Sequence, residues 1–383
     1  MRKILLATLI FAVVGVMAQE KSLQQLGGVY YAYPIESGVA MPDIQPVPDG
    51  YVAFYISHYG RHGSRWLPSD ERYRWVNNQF ANQKNLTDLG ESVRKRLSLI
   101  WKNAKGHGGR LTPLGGRQHR GIAQRMFQRF PHLFTAEAHL TAHSSTVGRC
   151  RSSMLNFLSE LQAQNPSLDI LPVTCEEDMA WIAYTSPEEK ALESRTHVPL
   201  TVLTDRFVKT LFIDPSKVEN PERLFTELHT IASDIQDVEL DVSLYDIFTR
   251  EEMEAVYAMN NERMTICNGD ESLNGGIPAR SAVSLWRRIE ADADAAIARG
   301  DVGADLRFGH DTNLYRLLTL MGVDTGGMGM DEILPMAANL QMVFYRNVAG
   351  DILVQLLHNE KSLGFRNWEE LKQQVSEHIC SLE

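Results

Sequence analysis

Apolar residues follow two rhythms along this chain. Residues 51–56 form a near-continuous apolar run of strand length, followed by helical periodicity over 70–81, 86–104 and 114–130 and then by strand-like 138–143. From about residue 154 to 300 the pattern becomes one of amphipathic helices, at 201–212, 221–237, 250–264 and 280–299, with few strand signals. After it come the short apolar Leu306-Arg307-Phe308, a helix-like 312–321, and two strands, 340–346 and 351–358, about an Ala349-Gly350-Asp351 turn. Alternation that stops and resumes predicts an α/β fold, a mainly parallel sheet flanked by helices with an inserted α-helical cap. The core is then discontinuous, residues 19–153 and 301–383, and residues 154–300 form the cap.

The N-terminus changes what must be folded. Arg2 and Lys3 precede an apolar stretch over residues 4–17, and Val16-Met17-Ala18 supplies small residues before Gln19. That stretch is shorter than the roughly 18 residues a membrane span needs, so residues 1–18 are expected to be a cleaved signal peptide and the mature protein to be exported. No later segment predicts insertion into a membrane. Loss of Arg2 and Lys3 takes the formal charge from -10 to about -12, which disfavours nucleic acid as a partner and requires any anionic ligand to be drawn by a local basic pocket. Four cysteines, Cys150, Cys175, Cys267 and Cys380, predict two disulfides in an exported chain, of unassigned connectivity. Oligomeric state leaves no sign in the sequence.

Three segments carry candidate chemistry, each where a strand gives way to a helix. The first is Arg61-His62-Gly63-Ser64-Arg65. Two guanidiniums pair bidentately with phosphate oxygens, and between them His62 is disfavoured as a cation, which suits a neutral nucleophile. Gly63 lets the backbone turn under the ring so that a carbonyl takes one ring N–H. The second is Gly309-His310-Asp311-Thr312-Asn313, where His310 can donate to a phosphate and Asp311 can protonate a leaving alkoxide, although Asp311 also reads as an ordinary helix cap. The third runs from Ser144 to Arg151, where Arg149 or Arg151 would complete a cationic cage at a helix N-terminus. His139 and His143 lack a partnering carboxylate at ligand spacing, so no metal is expected there. His119, beside Arg117 and Arg120, reads as part of a polar helix face.

In their order along the chain these motifs resemble the histidine phosphatases, and within them the histidine acid phosphatase branch that includes phytases and inositol polyphosphate phosphatases. The resemblance implies phosphate binding by Arg61, Arg65, Arg149 and His310, a phosphorylated His62, proton donation by Asp311, and no metal or organic cofactor. Its expected substrate is a small-molecule phosphomonoester. Arg110-Leu111-Thr112-Pro113-Leu114-Gly115 also resembles a helix start of the family. Three departures stand out. Trp66 and Leu67 precede Pro68 where the branch has proline sooner, and His310-Asp311-Thr312 replaces the His-Ala-Glu common among inositol polyphosphate phosphatases, which favours the acid phosphatase and bacterial phytase side. The cysteines are also fewer than in many secreted relatives. A phosphoglycerate-type mutase and a non-catalytic phosphate-binding protein are the other readings.

Overall fold

Both ends of the chain contribute to one sheet. The structure, a computed structural model, describes residues 20–35, 41–325 and 327–383, so the predicted leader lies outside the described residues. Seven strands, β1 (Val52–Arg61), β2 (His139–Ser144), β3 (Pro172–Val173), β4 (Gly303–Gly309), β5 (Asn339–Arg346), β6 (Ile352–His358) and β7 (Lys361–Asn367), assemble in the order β3-β2-β4-β1-β5-β6-β7. The β3, β2, β4 and β1 strands are mutually parallel, while β5, β6 and β7 pair antiparallel. The expected mainly parallel sheet is thus a mixed one with parallel pairing on the side that carries the motifs.

Helices of the first half are α1 (Asp70–Gln79), α2 (Asp88–Ala104), α3 (Pro113–Arg129), α4 (Gly148–Gln164), α5 (Met179–Ile182), α6 (Pro187–Arg195) and α7 (Asp205–Leu211). Those of the second half are α8 (Pro221–Val238), α9 (Arg250–Asn268), α10 (Glu271–Asn274), α11 (Ile277–Arg299), α12 (Asp311–Leu320), α13 (Met330–Ile333) and α14 (Trp368–Leu382). One core joins Tyr55, Met342 and Phe344 of the sheet to Trp286 of α11, Leu317 of α12 and Trp368 of α14. A second joins Ile56, Leu306 and Phe308 to Ile122 of α3 and Phe157 of α4. A third lies among helices, with Val76, Leu97, Phe207 and Phe225 from α1, α2, α7 and α8. Helices α4 and α11 therefore cover the two faces of the sheet, although most of α4 and all of α11 fall inside the 154–300 stretch.

The first strand is longer than its apolar run. Ser57, His58, Tyr59, Gly60 and Arg61 continue it, because a central strand covered on both faces tolerates polar side chains that find partners or aromatic neighbours. His58 packs between Phe157 and Phe308. Two C-terminal elements, β7 and α14, were not among the expected ones. Asn359 and Glu360, with φ of 48° and 64°, make the tight turn between β6 and β7 without a glycine. The Glu360 carboxylate is buried and accepts from Arg125 Nε at 2.9 Å, Arg125 Nη2 at 2.7 Å and Tyr33 Oη at 3.0 Å, which ties that turn to α3. Glu360→Ala leaves the guanidinium buried without this carboxylate while keeping a similar backbone demand. It is expected to cost about 3–5 kcal/mol in urea unfolding.

The cysteines correct the expectation of disulfides: all four are free thiols. Each serves a different element. Cys150 lies in the first turn of α4, where its Sγ–H donates to Gly309 O at 3.1 Å, and Cys267 is buried near the end of α9. Cys380 is exposed on α14, and Cys175 follows β3. Among the described residues no helix is long and apolar enough to cross a membrane.

Candidate active site

Parallel pairing brings the three motifs to one edge. Arg61 lies opposite Gly309 across β1 and β4, and Ser144 lies opposite Phe308 across β2 and β4. The chain leaves β1 with Arg61 N–H donating to Ala338 O at 2.7 Å and His62 N–H donating to Gly309 O at 3.0 Å. Beyond it, Gly63 and Gly115 interlock: a Cβ on Gly63 would sit 2.6 Å from Gly115 O, and one on Gly115 would sit 2.2 Å from Ser64 O. Thr112, the N-cap of α3, donates to Ser64 O through its backbone N–H at 2.9 Å and its hydroxyl at 3.0 Å. Gly63 N–H donates to Ser153 Oγ of α4 at 3.1 Å. The loop is thus held by the starts of two helices, and the 110–115 segment is one of them.

His62 is buried, with Nδ1 2.9 Å from the carbonyl of Gly63. A carbonyl only accepts, so Nδ1 carries the proton and Nε2 keeps its lone pair. Burial first, then Arg149, Arg61, Arg65 and His310, holds the imidazole well below the ordinary histidine range. The imidazole is therefore disfavoured as a cation. The same groups show which residues surround it: all three predicted arginines and His310 act on His62, and the two imidazole rings stand 5.9 Å apart, edge to face.

Two of the arginines are partly committed. Arg61 gives Nη1 to Val29 O at 2.8 Å and Leu334 O at 2.5 Å, while its Nη2 lies 2.9 Å from Asp311 Oδ2. Arg65 gives Nη1 to Asp234 Oδ1 at 3.3 Å. The Nε–H groups of Arg61, Arg65 and Arg149 are buried without a hydrogen-bond partner among the described residues. Three unsatisfied donors on cations around one histidine are costly unless an anion binds there. Arg151 is exposed, and Arg149, in the first turn of α4, is the arginine of that segment in the site.

His310 precedes α12 with Asp311 as the first residue of the helix. Ser145 Oγ lies 3.2 Å from His310 Nε2, and the Tyr59 hydroxyl accepts from His310 N–H at 3.2 Å while donating to Ile182 O at 2.8 Å. Burial, aided by Arg149 and opposed by Asp311, pushes His310 down to about 4. For Asp311 burial alone would raise the carboxyl, but Arg61, His310 and the Thr312 N–H at 2.9 Å outweigh it and keep it below the ordinary aspartate range. Asp311 is therefore both helix start and ion-pair partner of Arg61.

Several contributors escape the motif reading. Val29 and Leu334 supply carbonyls to Arg61, and Tyr30 places its ring 4.9 Å from the Arg65 guanidinium. Asp234 and Asp237 reach the loop from α8. Cys150 Sγ sits 3.7 Å from His310 Nε2, and burial pushes its thiol up to about 11, which suits packing rather than nucleophilic chemistry. His119 is not on a polar face but buried against Phe308 beneath the site, and burial pushes it down to about 3. Its spacing from Gly115, Ile122 and Met126 is the helical stripe that marks it as inward-facing.

No family model matches this chain, and no curated protein matches it by sequence. Solved structures do. The multiple inositol polyphosphate phosphatase of Bifidobacterium longum, in complex with inositol hexasulfate, superposes with a TM-score of 0.70 at 18% identity, over 88% of this chain and 93% of that one. The phytase from D. castellii gives 0.67 at 15% identity, over 93% and 85%, and the Hafnia alvei phytase without ligand 0.55 at 12%, over 88% and 99%. The chain shares the fold of these phosphatases over nearly its whole described length.

Proposed function

We propose that this protein is an exported phosphomonoesterase of the histidine acid phosphatase type, hydrolysing small-molecule phosphate monoesters through a phosphohistidine at His62. One observation carries the reading: a neutral His62 with Nε2 free for attack, surrounded by three arginines whose Nε–H groups have no partner among the described residues. Nε2 attacks phosphorus in line, forming the N–P bond as the P–O bond to the leaving group breaks. Arg61, Arg65, Arg149 and His310 hold charge on the equatorial oxygens, the main source of catalysis in phosphoryl transfer.

Asp311 supplies the proton to the leaving oxygen, then takes one from the water that opens the N–P bond and restores His62. In the free protein its pairing with Arg61 keeps it ionised, the wrong state for an acid. A phosphate dianion changes both causes at once. It draws Arg61 towards its own oxygens and adds negative charge beside the carboxyl, and each effect favours the protonated form. Substrate thus prepares its own acid. No step requires a metal or an organic cofactor. Export rests on the leader pattern of residues 1–18.

The pH profile follows from the signs. A histidine of ordinary basicity would lose about 25-fold in its neutral fraction between pH 7 and pH 5. His62 is held well below that range, and Asp311 gains its proton as pH falls. Accordingly kcat/KM is expected to change by less than tenfold from pH 7 to pH 5, and a fall of tenfold or more over that interval would contradict the assignment. The functional test is phosphate release across inositol hexakisphosphate, glucose 1-phosphate, bisphosphoglycerate and nucleotides, with and without chelator. Release independent of chelator supports the proposal; transfer back to product would indicate a mutase, and binding without turnover a phosphate-binding protein.

A further inference from the structure

The group that holds Arg65 comes from a distant part of the chain. Asp234, on the last turns of α8, accepts from Arg65 Nη1 at 3.3 Å with one oxygen and from the Tyr73 hydroxyl at 3.0 Å with the other. That hydroxyl in turn accepts from Leu67 N–H at 3.0 Å, so the same carboxylate bears on the backbone two residues beyond Arg65. One turn further along α8, Asp237 accepts from Ser64 Oγ at 2.5 Å, and Ser64 Oγ accepts from Gln118 Nε2 at 2.8 Å. Two carboxyl groups from one helix thus reach adjacent residues of the loop that carries His62. Both are buried.

Burial opposes ionisation of both, pushing Asp234 up to about 6 in spite of Arg65 and, with Asp234 as a neighbour, holding Asp237 well above the ordinary aspartate range. A buried carboxyl pair is a poor device for stability alone, since apolar side chains of similar volume would fill the space without losing hydration. What the pair provides is direction. Arg65 has many rotamers, its Nε–H is unpartnered among the described residues, and besides Asp234 it meets the Trp66 carbonyl, 3.4 Å from Nη1, and the Tyr30 ring. The carboxylate of Asp234 selects among the orientations left.

We propose that Asp234 is a positioning residue of the phosphate clamp, acting through Arg65 and, by way of the Tyr73 hydroxyl, through the loop that carries it. The proposal rests on the function proposed for this site, and it makes the helical layer containing α8 part of phosphate recognition. Asp234 itself touches no reacting atom.

A double-mutant cycle between Asp234→Ala and Arg65→Ala tests it, read as kcat/KM for p-nitrophenyl phosphate and as Kd for inorganic phosphate by calorimetry. Asp234→Ala is expected to lower kcat/KM and weaken phosphate binding by about tenfold to a hundredfold, and to cause no further loss when Arg65 is already alanine. An equal loss in both backgrounds would mean that Asp234 acts on the fold rather than through Arg65, and would overturn the proposal. Should Asp234→Ala fail to fold, Asp234→Asn keeps an acceptor for Tyr73 but removes the charge. It is expected to lose at least about threefold in both readouts, and unchanged values would overturn the proposal equally. Wild-type protein that bound phosphate without hydrolysing any ester would defeat the functional reading instead, while the cycle on phosphate affinity would still decide the role of Asp234.

Discussion

His62→Ala is expected to lower kcat for p-nitrophenyl phosphate by about 10⁴-fold or more, and to abolish any phosphorylated intermediate trapped by acid-free quenching of turnover. The geometry separates this loss from misfolding. The bonds that hold the segment, His62 N–H to Gly309 O and Ala337 N–H to His62 O, are main-chain bonds and survive the substitution. The three arginines also remain, and none of them depends on the imidazole for a hydrogen bond. Inorganic phosphate should therefore still bind, and calorimetry with unchanged thermal unfolding would identify the defect as chemical. Wild-type turnover in this variant would remove the covalent mechanism altogether.

Asp311→Asn is expected to divide substrates by their leaving groups. An alkoxide such as that of a sugar or inositol phosphate must be protonated as it departs, so loss of the acid should lower kcat/KM by about 10²–10⁴-fold. p-Nitrophenolate leaves without help and should lose tenfold or less. The ion pair supplies a second sign to check. Arg61 is fully buried and Asp311 is the carboxylate beside its Nη2, so the neutral amide leaves more of its charge for a bound anion. Inorganic phosphate should then bind more tightly even as turnover of alkyl esters falls. Equal slowing of both substrate types would assign Asp311 to binding and not to proton transfer.

The three motif-bearing turns were legible because each condenses its chemistry into five to eight consecutive residues at the end of an apolar run. The parallel order of β2, β4 and β1 then brings Arg149, His310-Asp311 and Arg61-His62 to one edge. What could not be read is what arrives from afar. Asp234 and Asp237 lie in an amphipathic helix in which any acidic residue passes for solvated, and only the packing of α8 against α1 and α3 reveals them as buried. Val29 acts through a backbone carbonyl, which carries no signature of residue type.

Two errors have different causes. An even number of cysteines says nothing about distance, and here the thiols are distributed over α4, α9, α14 and the segment after β3. The helix α14, by contrast, had its signals in plain view: Asn367 caps it, and Trp368, Leu371 and Val375 form its buried stripe. The sequence His310-Asp311-Thr312 leans towards the acid phosphatase and bacterial phytase side, while the fold is shared with an inositol polyphosphate phosphatase and with phytases alike at 12–18% identity.

The position of β1 in the sheet has a consequence for how the chain must be made. Tyr55 pairs with Gly303 and Val52 with Arg346, so both neighbours of the central strand are synthesised long after it. A growing chain that has reached the end of α11 has most of its helices but no partner for either edge of β1, and long-range pairing of this kind closes slowly. During that interval an apolar strand with two open edges is exposed to aggregation, which makes a holding chaperone valuable. The proposed nucleophile is encoded early, yet the pocket that surrounds it cannot exist until the last quarter of the protein has been translated.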